Sequence, residues 1–252
     1  MMRAGTVVTL ALGLLACGES TSTMLDAPRD GGSDASSNID GPRPDAAQGF
    51  GAISGDCGVL DDTEWNATTP FWFAGTFDFA SDRYDDPEDR GRLTPGGLKI
   101  VSTANAGGSS VYSEVFAYEW LARCEQATLL KTETEIAYDT VSKKADILVE
   151  IDGHKVGVSV TRLVHFPFGQ PYTLTDADTL LRRKLDDIQL ATTSVSAGDR
   201  WSRQMLSILA YDTQHAMVAM TAWNALPVAT RDDTILIVSV TDGDDTFIYT
   251  DQ

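Results

Sequence analysis

The chain has 252 residues, 37 of them Asp or Glu and 19 Lys or Arg, for a formal charge of −18 at pH 7. Residues 18–50 hold six of the acids and two of the bases, with Arg3 before them, so residues 51–252 carry 31 acids against 16 bases, a net of −15. Such a surface argues against nucleic acid as a partner, since a phosphate backbone is bound by clustered Lys and Arg, and no basic cluster here is longer than Arg182-Arg183-Lys184.

At the N-terminus, Arg3 makes a short positive region, and residues 6–16, TVVTLALGLLA, form an unbroken run of apolar and small residues. Eleven helical residues cover about half of a hydrocarbon core, so residues 1–16 read as a signal peptide rather than a permanent span. The run ends in Leu14-Leu15-Ala16-Cys17, which resembles a bacterial lipobox. That resemblance implies a cleaved signal and a diacylated Cys17, with the membrane as a partner through the lipid. Gly18-Glu19, with no Asp directly after the cysteine, implies the outer membrane or cell surface.

Residues 17–50 are dominated by Gly, Ser, Ala, Asp and Pro, with almost no large apolar residue until Phe50. They cannot bury enough surface to fold and read as a tether. Their Asp-Ala-Pro texture resembles the linkers of myxobacterial surface lipoproteins. The remaining 200 or so residues suffice for one domain with a real core. Cys57 and Cys124 are then an even pair in an exported chain, which predicts a disulfide; the alternative is two separately buried thiols.

Residues 51–110 read as an N-terminal extension. FWFAGTFDFA alternates like a strand in its second half, SDRYDDPEDRG is a polar loop, and LTPGGLKIVS turns at Pro95-Gly96-Gly97 into a short strand. A helix is predicted over 111–126, from Val111, Val115, Tyr118 and Ala122. Three strand candidates follow, in LLKTETEIAY, ADILVEID and KVGVSVTRLV. In the second, Ala145, Ile147, Val149 and Ile151 share a face opposite Asp146 and Glu150. In the third, Val156, Val158 and Val160 lie opposite Gly157, Ser159 and Thr161, and Asp152-Gly153 makes the hairpin turn. A second helix starts at Thr175 with a capping box to Asp178, with Lys184 at the edge of its apolar stripe. MLSILAY is a strand and HAMVAMTAWNAL a helix. TILIVSV and TFIYT, joined through DGDD, form a C-terminal hairpin. The order implies an α/β domain over 111–252 with a mixed central sheet flanked by helices.

Over residues 111–211 that order, with Asp146 at the second strand and paired positions on the third, resembles the restriction-endonuclease-like superfamily, PD-(D/E)XK. SEVFAYE and GVSVTR resemble segments of myxobacterial lipoproteins. The superfamily resemblance places the first-helix acid at Glu114, the strand acid at Asp146, and the acid-x-lysine pair at Ser159-Val160-Thr161. Its chemistry needs carboxylates on Mg²⁺ and a positive charge on the developing phosphorane. Ser159 cannot replace an acid on a hard cation, and Thr161 carries no charge. Loss of one preorganised donor costs ~10²–10³ in rate, and here two positions differ.

The expectation is therefore a nuclease-like fold without its reaction and without a cofactor or bound metal. It would serve a structural or ligand-binding role at the cell envelope, with an envelope protein or small ligand as partner. The alternative is a divalent-metal-dependent phosphodiesterase or nuclease using Mg²⁺. There Lys184 replaces the missing lysine, Glu133, Glu135 or Glu150 the missing acid, and Glu114, Asp146 and Lys184 converge on one open cleft.

Overall fold

The structure, a computed structural model, describes residues 48–103 and 110–250; Cys17, the signal sequence, most of the tether and residues 104–109 lie outside it. Among the described residues, no helix is long and apolar enough to cross a membrane.

Seven strands form one sheet: β1 (Ala52–Gly55), β2 (Phe71–Asp78), β3 (Thr128–Thr132), β4 (Ile147–Ile151), β5 (His154–Leu163), β6 (Arg203–Ala210) and β7 (Ile235–Asp242). Their spatial order is β1-β2-β7-β6-β5-β4-β3. Strands β2, β7, β6 and β5 run parallel, while β1 and the β3-β4-β5 meander pair antiparallel. The helices are α1 (Asp62–Asn66), α2 (Pro95–Ser102), α3 (Val111–Cys124), α4 (Leu174–Ser194), α5 (Thr213–Ala225), α6 (Val228–Arg231) and α7 (Thr246–Thr250). The expected α/β class with a mixed sheet flanked by helices is what the chain adopts, and α3-β3-β4-β5-α4-β6 follows the order read from the sequence.

Side-chain alternation sorts the core. Ile147, Val149, Val156, Val158, Val160, Met205, Leu209, Ile235 and Ile237 pack with Val115, Phe116 and Leu121 of α3. Leu206, Ile208, Leu236 and Val238, one position out of phase, pack with Leu181, Leu185 and Ile188 of α4 and with α5. All eight residues of β6 are buried, because a central parallel strand is covered on both faces. Ala145 does not join Ile147 and Val149; it lies in a small separate cluster with Ile136, Leu148 and Trp201.

Three local expectations are corrected. LTPGGLKIVS holds the helix α2, not a strand: Thr94 caps it, accepting from Gly97 N at 3.2 Å, and Pro95 takes the first position, where no N–H is needed. Thr94 is itself held by Glu119 of α3, whose Oε1 accepts from Thr94 N at 2.9 Å and from its hydroxyl at 2.6 Å. The capping box of α4 uses Thr173 and Asp176, two residues earlier than Thr175 and Asp178; Asp178 pairs with Arg182 instead. The C-terminal hairpin is absent, since TFIYT forms α7 and seats Phe247 among Phe50, Phe79, Tyr112 and Phe116.

Residues 51–103 are no appendage: β1 and β2 extend the same sheet. Phe50, at the expected end of the tether, is wholly buried. Three consecutive residues at the end of α3 hold this segment. Arg123 donates to Phe50 O at 3.0 Å and Gly51 O at 2.8 Å, Cys124 is disulfide-bonded to Cys57, and Glu125 accepts from Val59 N and Leu60 N. The bond closes 67 residues, for which the chain-entropy model gives roughly 4 kcal/mol.

Asp245, at the start of α7, is 5% exposed and accepts from the Thr241 hydroxyl, which also bonds Tyr249 OH at 2.7 Å. Burial raises its pKa to about 6, opposed by the Thr241 bond and reinforced by Asp242 and Asp244. A folded pKa above the unfolded one gives stability that is complete below the unfolded value, 3.8, and is lost as pH rises through about 6. Asp245→Asn removes that loss. It should raise stability at pH 8 by no more than about 3 kcal/mol, at ~1.4 kcal/mol per unit, with no gain at pH 3.5, as read by urea denaturation at both pH values.

Candidate functional site

Strand β4 pairs with β5 from Ile151↔His154 up to Ile147↔Val158, whereas β5 runs on to Leu163 with β6 as its neighbour. Asp146 N still reaches Val158 O at 2.9 Å. Beyond it the chain leaves the sheet, with Ala145 N turned to Tyr138 OH. Val160, two residues on from Val158, turns its own N–H and C=O to the same vacated side. Two side chains meet them: Asp146 Oδ2 accepts from Val160 N at 2.6 Å, and Lys184 Nζ, from α4, donates to Val160 O at 2.8 Å. The Ser159 hydroxyl adds a bond to Asp146 Oδ2 at 3.3 Å.

The structure thus brings Asp146, Ser159 and Lys184 together around the backbone of one residue, Val160. Lys184 turns inward rather than lying along the helix edge. Ser159 is buried and Thr161 half-buried; alternation puts both on the side of β5 away from the valines, and Trp201 fills the space left by Gly157. Burial pushes the Asp146 carboxyl above the usual carboxylate range, opposed by the Lys184 charge, the Val160 N–H and Ser159, while the charge of Glu133 pushes the same way as burial. Glu133 is therefore the acid whose field bears on Asp146. Glu114 lies buried on α3, accepting from Ser110 Oγ at 2.8 Å. Glu135 pairs with Lys99 at 2.6 Å, and Glu150 is exposed on β4. Among the described residues, no group of three or more His, Cys, Asp or Glu side chains is placed to hold a metal ion.

A cleft of about 800 Å³ lies elsewhere, along β1 and the C-terminal end of β2. All four residues of β1 line it, with Val59 and Phe79 as apolar contacts and Asp78, Asp82, Arg92 and Arg123 as charged ones. None of Glu114, Asp146, Ser159, Thr161 and Lys184 belongs to it. Its size falls within the range of small-ligand sites. Sequence reasoning did not find it, because Ala52–Gly55 carries no periodic signal and Arg123 looks like an ordinary last-turn cation.

No family model matches the chain. The AAC-rich mRNA clone AAC4 protein of Dictyostelium discoideum is 35% identical over 153 residues, covering 58% of this chain and 22% of that protein. The chain thus spans little more than a fifth of the relative's length. A structure of Pyrococcus furiosus SfsA in complex with Ca²⁺ aligns over 52% of this chain and 55% of that one, at 12% identity and a TM-score of 0.25. Likeness at that level carries no argument about function.

Replacing Asp146 by Ala leaves the Val160 N–H without its acceptor. The expected cost is about 1–3 kcal/mol, measured by urea denaturation at pH 7 with an unchanged m-value. A loss within experimental error would mean that water serves Val160 as well as the carboxylate does.

Proposed function

We propose that this is an exported, lipid-anchored protein whose nuclease-like domain does not cleave phosphodiesters and works at the cell envelope as a binding or structural module. One observation carries the reading: the groups that would do the chemistry serve the backbone, and a cleft of about 800 Å³ lies apart from them. Asp146 and Lys184 are engaged with the N–H and C=O of Val160, and the cleft beside β1 contains neither. Asp146 Oδ2 already accepts from the Val160 N–H at 2.6 Å and from the Ser159 hydroxyl at 3.3 Å, and Lys184 Nζ is turned to Val160 O. The ligand site is then the β1 cleft, and its partner an envelope protein or a small molecule.

A second reading rests on Lys184. Its ammonium lies close enough for its charge to act on Asp146, which is where a displaced catalytic lysine would have to be, with Glu133 as the second acid and Mg²⁺ as the metal. Purified protein should show no Mg²⁺- or Mn²⁺-dependent cleavage of single- or double-stranded DNA or RNA. Cleavage lost in both Asp146→Ala and Lys184→Ala, with both variants still folded, would establish the second reading.

The anchor rests on LLAC after the apolar run. Cys17→Ser should release the protein from the membrane fraction or leave it unprocessed. Unchanged fractionation and processed mass would exclude lipidation at Cys17.

A further inference from the structure

The parallel strands β2, β7, β6 and β5 reach the same end of the sheet, and there the chain parts in two directions. From β6 it enters α5, whose Ala216, Ala219 and Trp223 pack in the α4 layer. From β7 it enters α7, whose Phe247 and Tyr249 pack in the α3 layer. In open α/β sheets such a divergence leaves a crevice beyond the carboxyl ends of the strands, and ligands bind there. A line of rings stands at this place. Tyr211, the first residue after β6, meets Tyr249 at 5.4 Å between ring centroids and stacks on Phe168 at 5.0 Å, and Phe168 meets Phe166 at 4.9 Å.

The line runs from core to solvent, for Tyr249 is 3% exposed and Phe166 61%. All nine phenylalanines are among the described residues, and Phe166 alone is exposed. The loop presenting it is held at both ends. Leu163 O accepts from Tyr211 N at 3.0 Å, and the Gln214 side chain accepts from Tyr172 N at 3.2 Å and donates to Tyr172 O at 2.9 Å. Between these ties Pro167 and Pro171 restrict the backbone. A ring placed in advance gives up little freedom when something binds to it.

The charge beside the rings decides what they suit. Asp212 follows Tyr211 directly, with its side chain 46% exposed. Burial raises its carboxyl, but the backbone and ring of His215 and the Gln214 N–H outweigh burial and hold it below the usual carboxylate range. It is an anion at neutral pH, and its charge reaches Tyr249. Asp242 and Asp244, past the end of β7, are exposed. Arg162, the cation near Tyr249, is turned to the carbonyls of Ile248 and Tyr249 at 3.0 and 3.3 Å. The face of an aromatic ring is itself negative. Phosphate-bearing ligands are repelled here, and a neutral ligand leaves the field of the carboxylates unused. We propose that Phe166, Phe168 and Tyr211, with Asp212 beside them, bind a small organic cation of the alkyl- or quaternary-ammonium class through cation–π contact and charge. The site is separate from the β1 cleft and from the Val160 cluster, and the inference does not rest on the binding-module reading.

Titration of the full chain, its Phe and Tyr rings isotope-labelled for NMR, tests this with two probes. One is choline; the other is its uncharged isostere, with a tert-butyl group in place of the trimethylammonium. Choline should shift the rings of Phe166, Phe168 and Tyr211, and the isostere at the same concentration should not. Phe166→Ala, at a position the core does not use, should weaken choline binding severalfold. Asp212→Asn, which keeps a capping side chain for α5 and removes the charge, should weaken it as well. Leu190→Ala, an exposed apolar position near the far end of α4, should leave it unchanged. Equal binding of the two probes would mean an ordinary apolar patch and overturn the proposal, as would full choline binding by Phe166→Ala. Binding to phosphatidylcholine vesicles without binding of free choline would assign the rings to a lipid surface and overturn it too.

Discussion

Strand β5 is longer than the strand it pairs with, and the meeting of Asp146, Ser159 and Lys184 follows from that mismatch. Where β4 gives out, the N–H and C=O of Val160 still point sideways, a donor and an acceptor to satisfy. A buried backbone group left unmet costs about as much as a lost hydrogen bond, so the fold supplies substitutes, Asp146 for the N–H and Lys184 for the C=O. An acid at the head of one strand and a lysine from the next helix therefore meet for reasons of backbone accounting. Both side chains spend their hydrogen bonds on the Val160 backbone.

Much of the sheet was legible because its strands obey simple rules. The valines of β5 alternate with Gly157, Ser159 and Thr161, and the structure puts them on the α3 side. The Asp152-Gly153 turn sits between β4 and β5, with both residues at positive φ. The first misreading came from Pro95-Gly96-Gly97. Sequence logic takes that triplet for a turn, but Pro is equally at home in the first position of a helix, and Thr94 supplied the cap. The second came from TFIYT, whose β-branched and aromatic residues suit a strand. Phe247 is instead taken by the aromatic cluster around Phe50 and Phe116, a tertiary demand no local pattern announces.

The candidate site residues divide in the same way. Asp146 and Ser159 could be found from strand phase, and Lys184 from its place beside the apolar stripe of α4. That Lys184 faces Val160 depends on how α4 lies on the sheet, which periodicity does not encode. The β1 cleft depends on contacts across more than 60 residues of sequence, between Phe50–Leu60 and the end of α3. Only the cysteine pair left a trace of that contact in the sequence, and it pointed to the right two positions.

The run Arg123-Cys124-Glu125 has a mechanical meaning as well. Tension applied to the chain ahead of the domain enters at Gln48 and reaches Phe50 and Gly51 first, where it meets the Arg123 hydrogen bonds. If these yield, β1 can peel from β2 residue by residue, the low-force way to separate strands. The peeling ends at Cys57, because a covalent bond there passes the load directly to α3 in the middle of the core. The end of the domain can thus give way by fewer than ten residues under tension while everything behind it stays folded, so the disulfide works as a stop as much as a staple.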